Sequence, residues 1–378
     1  MHKAVLLTLG RLPKGLEVAR CLNAAGCQVY VADPFGIHLS KPSRAVQKSY
    51  QVTAPNDDRD AFLSDLEKII ERHDIDLVLP VSEEVAHVVD LHDRLPAGVQ
   101  LLCPEPQQLL QLHDKLAFIK SAAAAGLKTP QTLRATDAGA HDFSVQHDYV
   151  VKPALGCSGS GLRLARKGEP LRAHEISDAM LLQQRINGQE VSTFSLAKDG
   201  RVIGSTVYRG LIFAGTVAVC FERLTHMRAV EDWISTFVQH EKFSGFIAFD
   251  FIMDSQGTPY PIECNPRLTS GVHFFNHDDL ARALLEPDAA GPVGFKPQHR
   301  LQEGHTSLTK AYAALPRVFE FLRRLRLVFT TRDVLWSWRD PGPFMLMTPM
   351  SWPVIKKAIF QGKSLGQAAT QDIELQSK

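Results

Sequence analysis

Apolar residues fall in short uninterrupted runs near the start of the chain and in longer, alternating ribbons through its middle. Residues 4–9 (AVLLTL) form one such run, stopped by Gly10; a helical segment follows over about 15–25, and then QVYVAD ends at Asp33. This succession predicts a βαβ unit. A second helical segment at 60–73 leads into DLVLPV at 76–81, and VQLLCP at 99–104 supplies a further strand. Strands that alternate with helices imply a parallel, doubly wound sheet over roughly residues 1–110. The first turn, GRLPKG, lacks a full GxGxxG, so it gives little support to dinucleotide binding. Asp33 suits a ribose contact or a cap or turn about equally.

The pattern then changes. Residues 109–125 (LLQLHDKLAFIKSAAAA) read as one helix stopped by Gly126 and Pro130. DYVVKPALGCSGSGLRLA places two apolar strands around a loop with Gly156, Gly159 and Gly161, a glycine-rich hairpin. LLQQRI and EVSTFSLAKDGRVIGSTVYRG look antiparallel, with Asp199-Gly200 as the turn. After a helical stretch at 232–241, GFIAFDFIMDSQGTPYPIECNPR gives two more strands around a turn at 255–257. The middle of the chain is thus α+β, and the whole reads as α/β plus α+β. GPVGFKPQH, residues 291–299, reads as a linker.

Composition narrows the function. Forty-two basic against 41 acidic side chains, with 44% hydrophobic and 22% charged residues, lack the basic excess that nucleic-acid binding needs, so no nucleic-acid partner is expected. The six cysteines, Cys21, Cys27, Cys103, Cys157, Cys220 and Cys264, show no CxxC pair and read as reduced thiols. The opening MHKAVLLTLGR is too short in its apolar part for a signal peptide, and no stretch approaches the roughly 20 apolar residues that span a bilayer, so the expected location is cytoplasmic. Beyond the linker, residues 300–378 hold 12 Lys/Arg against six Asp/Glu and three of the four tryptophans, Trp336, Trp338 and Trp352. A helical lobe docked on the rest explains them more simply than an anionic membrane surface does.

The most specific chemistry lies in Asp250, Glu263 and Asn265. Strand residues two apart share a face, so Glu263 and Asn265 project together, and the turn between the strands returns Glu263 opposite Asp250. Two carboxylates and an amide are hard oxygen donors of the kind magnesium takes alongside waters and phosphate oxygens. Arg267, past the strand-breaking Pro266, is placed to clamp a phosphoryl group or an oxyanion. Lys152 ends an apolar strand just before GCSGSG, where a buried ammonium calls for an anion and glycines leave backbone N–H groups open to phosphate. The order of lysine and glycines is not that of a Walker loop. Arg209, in VYRG, is a candidate for an acidic substrate or phosphate. His273 and His277 either line an acceptor pocket or serve the structure. Ser82, Glu83 and Glu84 sit at a strand's C-terminal end, where ligand contact and helix capping are both open.

Asp114-Lys115, VVKP with its glycine-rich loop, QxxIxGxE, and D(x12)ExN with a trailing arginine occur in that order over about 155 residues. In this the chain resembles the ATP-grasp superfamily, of carboxylate-amine ligase type, and is similar to the ATP-binding domains of carbamoyl-phosphate synthase and biotin carboxylase. The resemblance implies an ATP-grasp fold with a Rossmann-like preATP-grasp domain at 1–110, a small subdomain with the glycine-rich loop at 111–187, a metal-binding subdomain at 188–290 and a mainly helical C-terminal lobe at 300–378. It implies that Lys115 and Lys152 bind the phosphates of ATP under a loop containing Gly156, Ser158, Gly159, Ser160 and Gly161. Gln183, Gln184 and Ile186 would form the adenine pocket, Glu190 would hold the ribose, and Asp250, Glu263 and Asn265 would hold two Mg2+ ions, for which Mn2+ can substitute. Arg267 and Arg209 would be the catalytic arginines. The implied partners are a small-molecule carboxylate, an amine and a second copy of the chain as a homodimer; a carboxylase-like use of bicarbonate and a non-catalytic ATP-binding regulator are the alternatives.

Overall fold

The computed structural model describes residues 3–156 and 162–375. Ala4–Leu7 (β1), Pro13–Ala24 (α1), Gln28–Asp33 (β2), Lys48–Gln51 (β3), Arg59–Arg72 (α2), Leu77–Leu79 (β4), Val85–Val88 (α3) and Gln100–Leu101 (β5) build the first layer, a parallel sheet in the order β3-β2-β1-β4-β5. The central strands β2, β1 and β4 are covered on both faces, which is why they are apolar without alternation, whereas the edge strands β3 and β5 are partly exposed. Ala4 and Leu6 pack toward Phe62, Leu63 and Leu66 of α2, whereas Val5 and Leu7 point the other way. That second face merges into one core with Phe194, Phe246, Val272 and Phe275 from the middle of the chain. Asp33 is not an open ligand position: it is fully buried, ion-paired to Arg11 at 2.9 Å, and accepts the Gly10 and Phe35 N–H groups, the second closing a turn through its side chain.

The segment expected as one helix is two, Pro106–His113 (α4) and Lys115–Ala124 (α5). Asp114 leaves helical geometry between them, and its carboxylate accepts the Leu116 and Ala117 N–H groups as an N-cap. Thr132–Arg134 (β6), Ala140–Gln146 (α6), Tyr149–Pro153 (β7), Arg163–Ala165 (β8) and Met180–Gln184 (β9) follow, with an antiparallel sheet ordered β6-β9-β7-β8. The third sheet contains Gln189–Lys198 (β10), Arg201–Ala214 (β11), Val217–Leu224 (β12), Gly245–Met253 (β13) and Pro259–Asn265 (β14), with Arg228–Glu241 (α7) laid across it. The β10–β11 turn is Asp199-Gly200 with both φ angles positive, the pairing that the twist of a two-residue hairpin demands.

Residues 291–299 are not a free linker. After His277–Leu285 (α8), Val293 N–H bonds to the Ile203 carbonyl, Lys296 N–H bonds to that of Phe274, and Phe275 bridges to Phe295. The chain then continues as Arg300–Gln302 (β15), which pairs antiparallel with β12, so the third sheet itself crosses position 300. Gly304–Tyr312 (α9), Val318–Thr330 (α10), Arg332–Asp333 (β16), Gly342–Met345 (α11), Met347–Met350 (α12), Trp352–Gln361 (α13) and Leu365–Thr370 (α14) complete a mainly helical C-terminal part. The sheet order is β14-β13-β10-β11-β12-β15-β16. Among the described residues no helix is long and apolar enough to cross a membrane, and the described cysteines are free and buried.

His87, on α3, is buried, and burial pushes its imidazole down to about 4. Its folded pKa therefore lies below the ordinary 6.5. Between those values the unfolded chain binds a proton that the folded chain refuses, so stability is full above pH 6.5 and falls as pH drops toward 4. Urea titrations at pH 7 and pH 5 are expected to show an acid-dependent loss, on the order of 2 kcal/mol over the whole window, that His87→Leu removes.

Candidate active site between three sheets

Alternation along β13 sorts its side chains. Ile247, Phe249 and Phe251 enter an aromatic core with Trp233 and Phe237 of α7 and Phe118 of α5, which turns Asp250 to the opposite face. On β14, Cys264 joins that same core and thereby directs Glu263 and Asn265 away from it. In register, Asp250 lies opposite Glu263 on one side and Ser192 of β10 on the other. The Ser192 hydroxyl donates to Asp250 Oδ1 at 2.6 Å, and the Asn265 amide donates to Asp250 Oδ2 at 3.4 Å.

Burial, with Glu263 and then Glu190 close by, pushes the Asp250 carboxyl up to about 7. Crowded carboxylates of this kind are costly until a cation joins them. Among the described residues no group of three or more His, Cys, Asp or Glu side chains is gathered for a metal; the donors here are two carboxylates and one amide. That set fits a hard divalent ion that keeps waters and phosphate oxygens as its other ligands.

Arg267 follows directly. Its guanidinium pairs with Glu83 at 2.6 Å and donates to Asn265 Oδ1 at 3.0 Å, tying the end of the parallel sheet to the carboxylate strands. Of the Ser82–Glu84 trio, Glu83 meets Arg267 and Ser82 lines the same cavity. Glu84 does structural work instead: fully buried, it accepts the Val81 and Ser82 N–H groups and the Thr8 hydroxyl.

The small sheet approaches from the other side. Lys152, at the end of β7, is buried and donates to Gln183 Oε1 at 2.8 Å and to the Ile262 carbonyl at 2.7 Å. Ile262 is the extra residue of a β-bulge, because Asp250 pairs with Glu263 while Phe251 pairs with Pro261. The bulge frees its carbonyl. Burial, and Lys115 nearby, push the Lys152 ammonium down to about 7. Lys115, at the start of α5, is likewise buried and donates to the Gly156 carbonyl at 2.7 Å.

The sequence-predicted residues fall into three groups. Asp250, Glu263, Asn265, Arg267 and Lys152 are brought together, with Glu190 exposed on the face shared with Ser192 and Lys115 held at the mouth of the glycine-rich hairpin. Gln183 turns its side chain into the small sheet, between Lys152 and Thr132, while Gln184 and Ile186 are half-buried at and just beyond the end of β9. Gly156 is exposed with φ 118°; Ser158, Gly159, Ser160 and Gly161 lie outside the described residues. Arg209 lines the cavity but spends its guanidinium on Glu222, at 2.7 Å.

That cavity, about 1180 Å³, runs between the parallel sheet, the carboxylate face of the third sheet and the C-terminal helices. His273 touches it, yet both histidines are committed to structure. His273 Nδ1 and His277 Nε2 lie 2.9 Å and 2.5 Å from the two carboxylate oxygens of Glu17, and Lys296 also bonds to Glu17. Although burial pushes the Glu17 carboxyl up, Lys296 and the imidazoles hold it well below the usual carboxylate range. Glu17 had no signal in the sequence beyond one acid inside an apolar helix face.

Residues 112–271 match the model of an ATP-grasp domain. No curated protein matches the sequence. Among solved structures, the chain is similar to N5-carboxyaminoimidazole synthetase from Staphylococcus aureus complexed with ADP, at 15% identity over 78% of this chain and 81% of that one, with a TM-score of 0.61. It is similar to the biotin carboxylase domain of Hydrogenobacter thermophilus 2-oxoglutarate carboxylase, solved with MgADP, ADP and bicarbonate, at 16% identity, 72% and 66% coverage and a TM-score of 0.58. L-amino acid ligase from Bacillus licheniformis matches at 15% identity, 75% and 74% coverage and a TM-score of 0.55. These likenesses establish the fold, and the match over residues 112–271 defines that part of the chain as an ATP-grasp domain.

Glu17 gathers α1, the start of α8 and the 291–299 segment on one buried carboxylate. Glu17→Ala leaves Lys296 without its anion and is expected to cost about 3 kcal/mol in urea denaturation, with a matching fall in melting temperature. An unchanged midpoint would contradict the assignment.

Proposed function

We propose that the chain is an ADP-forming ligase that activates a carboxylate as an acyl phosphate and joins it to an amine. The observation that carries this reading is the convergence of Asp250, Glu263 and Asn265 near buried Lys152, with Asp250 and Asn265 lining a large cavity. Asp250 and Glu263, with Asn265, would hold two Mg2+, or Mn2+ in their place, and the ions would neutralise charge on the transferring phosphoryl group. Lys152 and Lys115 would bind the phosphates of ATP, and residues 156–161 would cover them. Glu190 would hold the ribose. Gln183, Gln184 and Ile186 would border the adenine, with the Gln183 side chain steadying Lys152 and backbone groups reading the base.

In this reading the substrate carboxylate attacks the γ-phosphorus and ADP leaves. The amine then attacks the acyl carbon, and phosphate departs as the C–N bond forms. Arg267, aimed by Glu83, would face the oxyanion of that second step. Arg209 would meet an acidic substrate group only by exchanging Glu222 for it. Catalysis is mainly positioning and electrostatics, since the chain needs no covalent link to either substrate.

Glu263→Gln is expected to lower ADP release by at least about 100-fold without shifting the unfolding midpoint; turnover near the parent level would contradict the metal assignment. Lys152 gives a second test. With its pKa near 7 in the free protein, it is partly neutral at pH 7.5, and a polyphosphate restores its charge. Calorimetry of MgADP binding in buffers of different ionisation enthalpy should therefore report proton uptake that Lys152→Arg abolishes; equal proton counts in the two proteins would overturn it.

A further inference from the structure

The cavity is chemically divided. One end holds Asp250, Asn265 and Arg267; the other presents Phe213, Val217, Leu308, Met347, Ile355 and Leu365, with Lys310, Arg323 and Ser364 also lining the cavity. The division is one of distance as well as polarity. Tyr208 lies in register beside Ser192, which pairs with Asp250, and Phe213 is five residues further along β11 at the tip of its hairpin with β12. At the rise of an extended strand that separation is about 15 Å. The far wall combines the hairpin tip with α9 and the helices from α12 to α14, so it is the C-terminal part of the chain that completes it.

The far wall is also incomplete as a core. Phe213, Val217 and Leu365 remain 44%, 45% and 51% exposed although they line a concave surface. Phe213 folds its ring back over Gly210, where a Cβ would stand 2.2 Å from the ring, so glycine is what lets the ring lie along the strand inside the cavity. Neither an amino-acid backbone nor bicarbonate has a group that matches such a wall.

We propose that one substrate is an amphiphile: its carboxylate or amine head sits at the Asp250–Arg267 end, and an apolar body of roughly the cavity's length lies against Phe213, Leu308, Ile355 and Leu365. This deepens the ligase reading and rests on it for the word substrate; the apolar subsite itself rests on the cavity alone.

The test separates the two. The whole protein is titrated, without nucleotide and below micelle-forming concentrations, with straight-chain alkyl carboxylates and alkyl amines of increasing length. Affinity should rise about fourfold per methylene until the chamber is full, the factor that corresponds to about 0.8 kcal/mol per buried CH2. Phe213→Asp and Leu365→Asp, at exposed positions that leave the core intact, should flatten that slope while the unfolding midpoint holds. Tighter binding of the carboxylate series or of the amine series assigns the apolar body to the donor or to the acceptor, and either order supports the subsite. Affinity independent of chain length, or a slope that the two variants leave unchanged, overturns it. ADP release is measured with the same compounds, ATP and magnesium: amphiphile binding that never yields ADP with any partner tells against the ligase reading and leaves the subsite standing.

Discussion

The register in which β13 meets β14 is the constraint from which the rest of the site follows. Asp250 stands opposite Glu263 because Phe249 and Phe251, one step away on either side, must enter the aromatic core under α7. A slip by one residue would drive the carboxylates among Trp233 and Phe237 and lift phenylalanines into the cleft. The aromatic packing beneath the sheet and the acidic face above it are thus two consequences of one alternation. The same face is apolar further along, where Phe194 and Phe246 join the core shared with the parallel sheet, so the strands change from scaffold to site along their length.

Charge is arranged around that face with little to spare. Lys152 approaches the two acids but bonds to a neutral carbonyl and an amide, so burial lowers its pKa while nothing within hydrogen-bond reach carries a full negative charge to raise it. Arg267 meets the opposite end and is balanced by Glu83 from a different sheet. The cluster is poised between a surplus of crowded, half-buried acids on one strand pair and a half-discharged base on another. Such a standoff is relieved by a polyanion carrying divalent ions, which would supply both missing signs at once.

Much of this could be read from local sequence. Continuous apolar runs gave away a sheet buried on both faces, Asp199-Gly200 marked the β10–β11 hairpin of the third sheet, and period-two spacing grouped Glu263 with Asn265. What escaped was of two kinds. Asp114 breaks a helix whose apolar periodicity runs through it, because a side-chain cap competes with propagation only once the chain must turn toward the glycine-rich hairpin. The bulge at Ile262 and the ion pairs Arg267–Glu83 and Glu17–Lys296 join residues too far apart in the chain for spacing to reveal. The 291–299 segment looked like a tether for the same reason: glycine and proline report the lack of regular structure, not the presence of neighbours.

Strand β15 follows directly from that misjudged segment and lies along β12, whose N–H and C=O groups would otherwise face solvent as a bare border of the largest sheet. Strand β15, with the two-residue β16 beyond it, therefore acts as a selvage, finishing a woven margin so that it does not catch on another. Because the same stretch leads on into the helices that wall the apolar chamber, protection against stickiness and the choice of what is held inside are threaded on a single piece of chain.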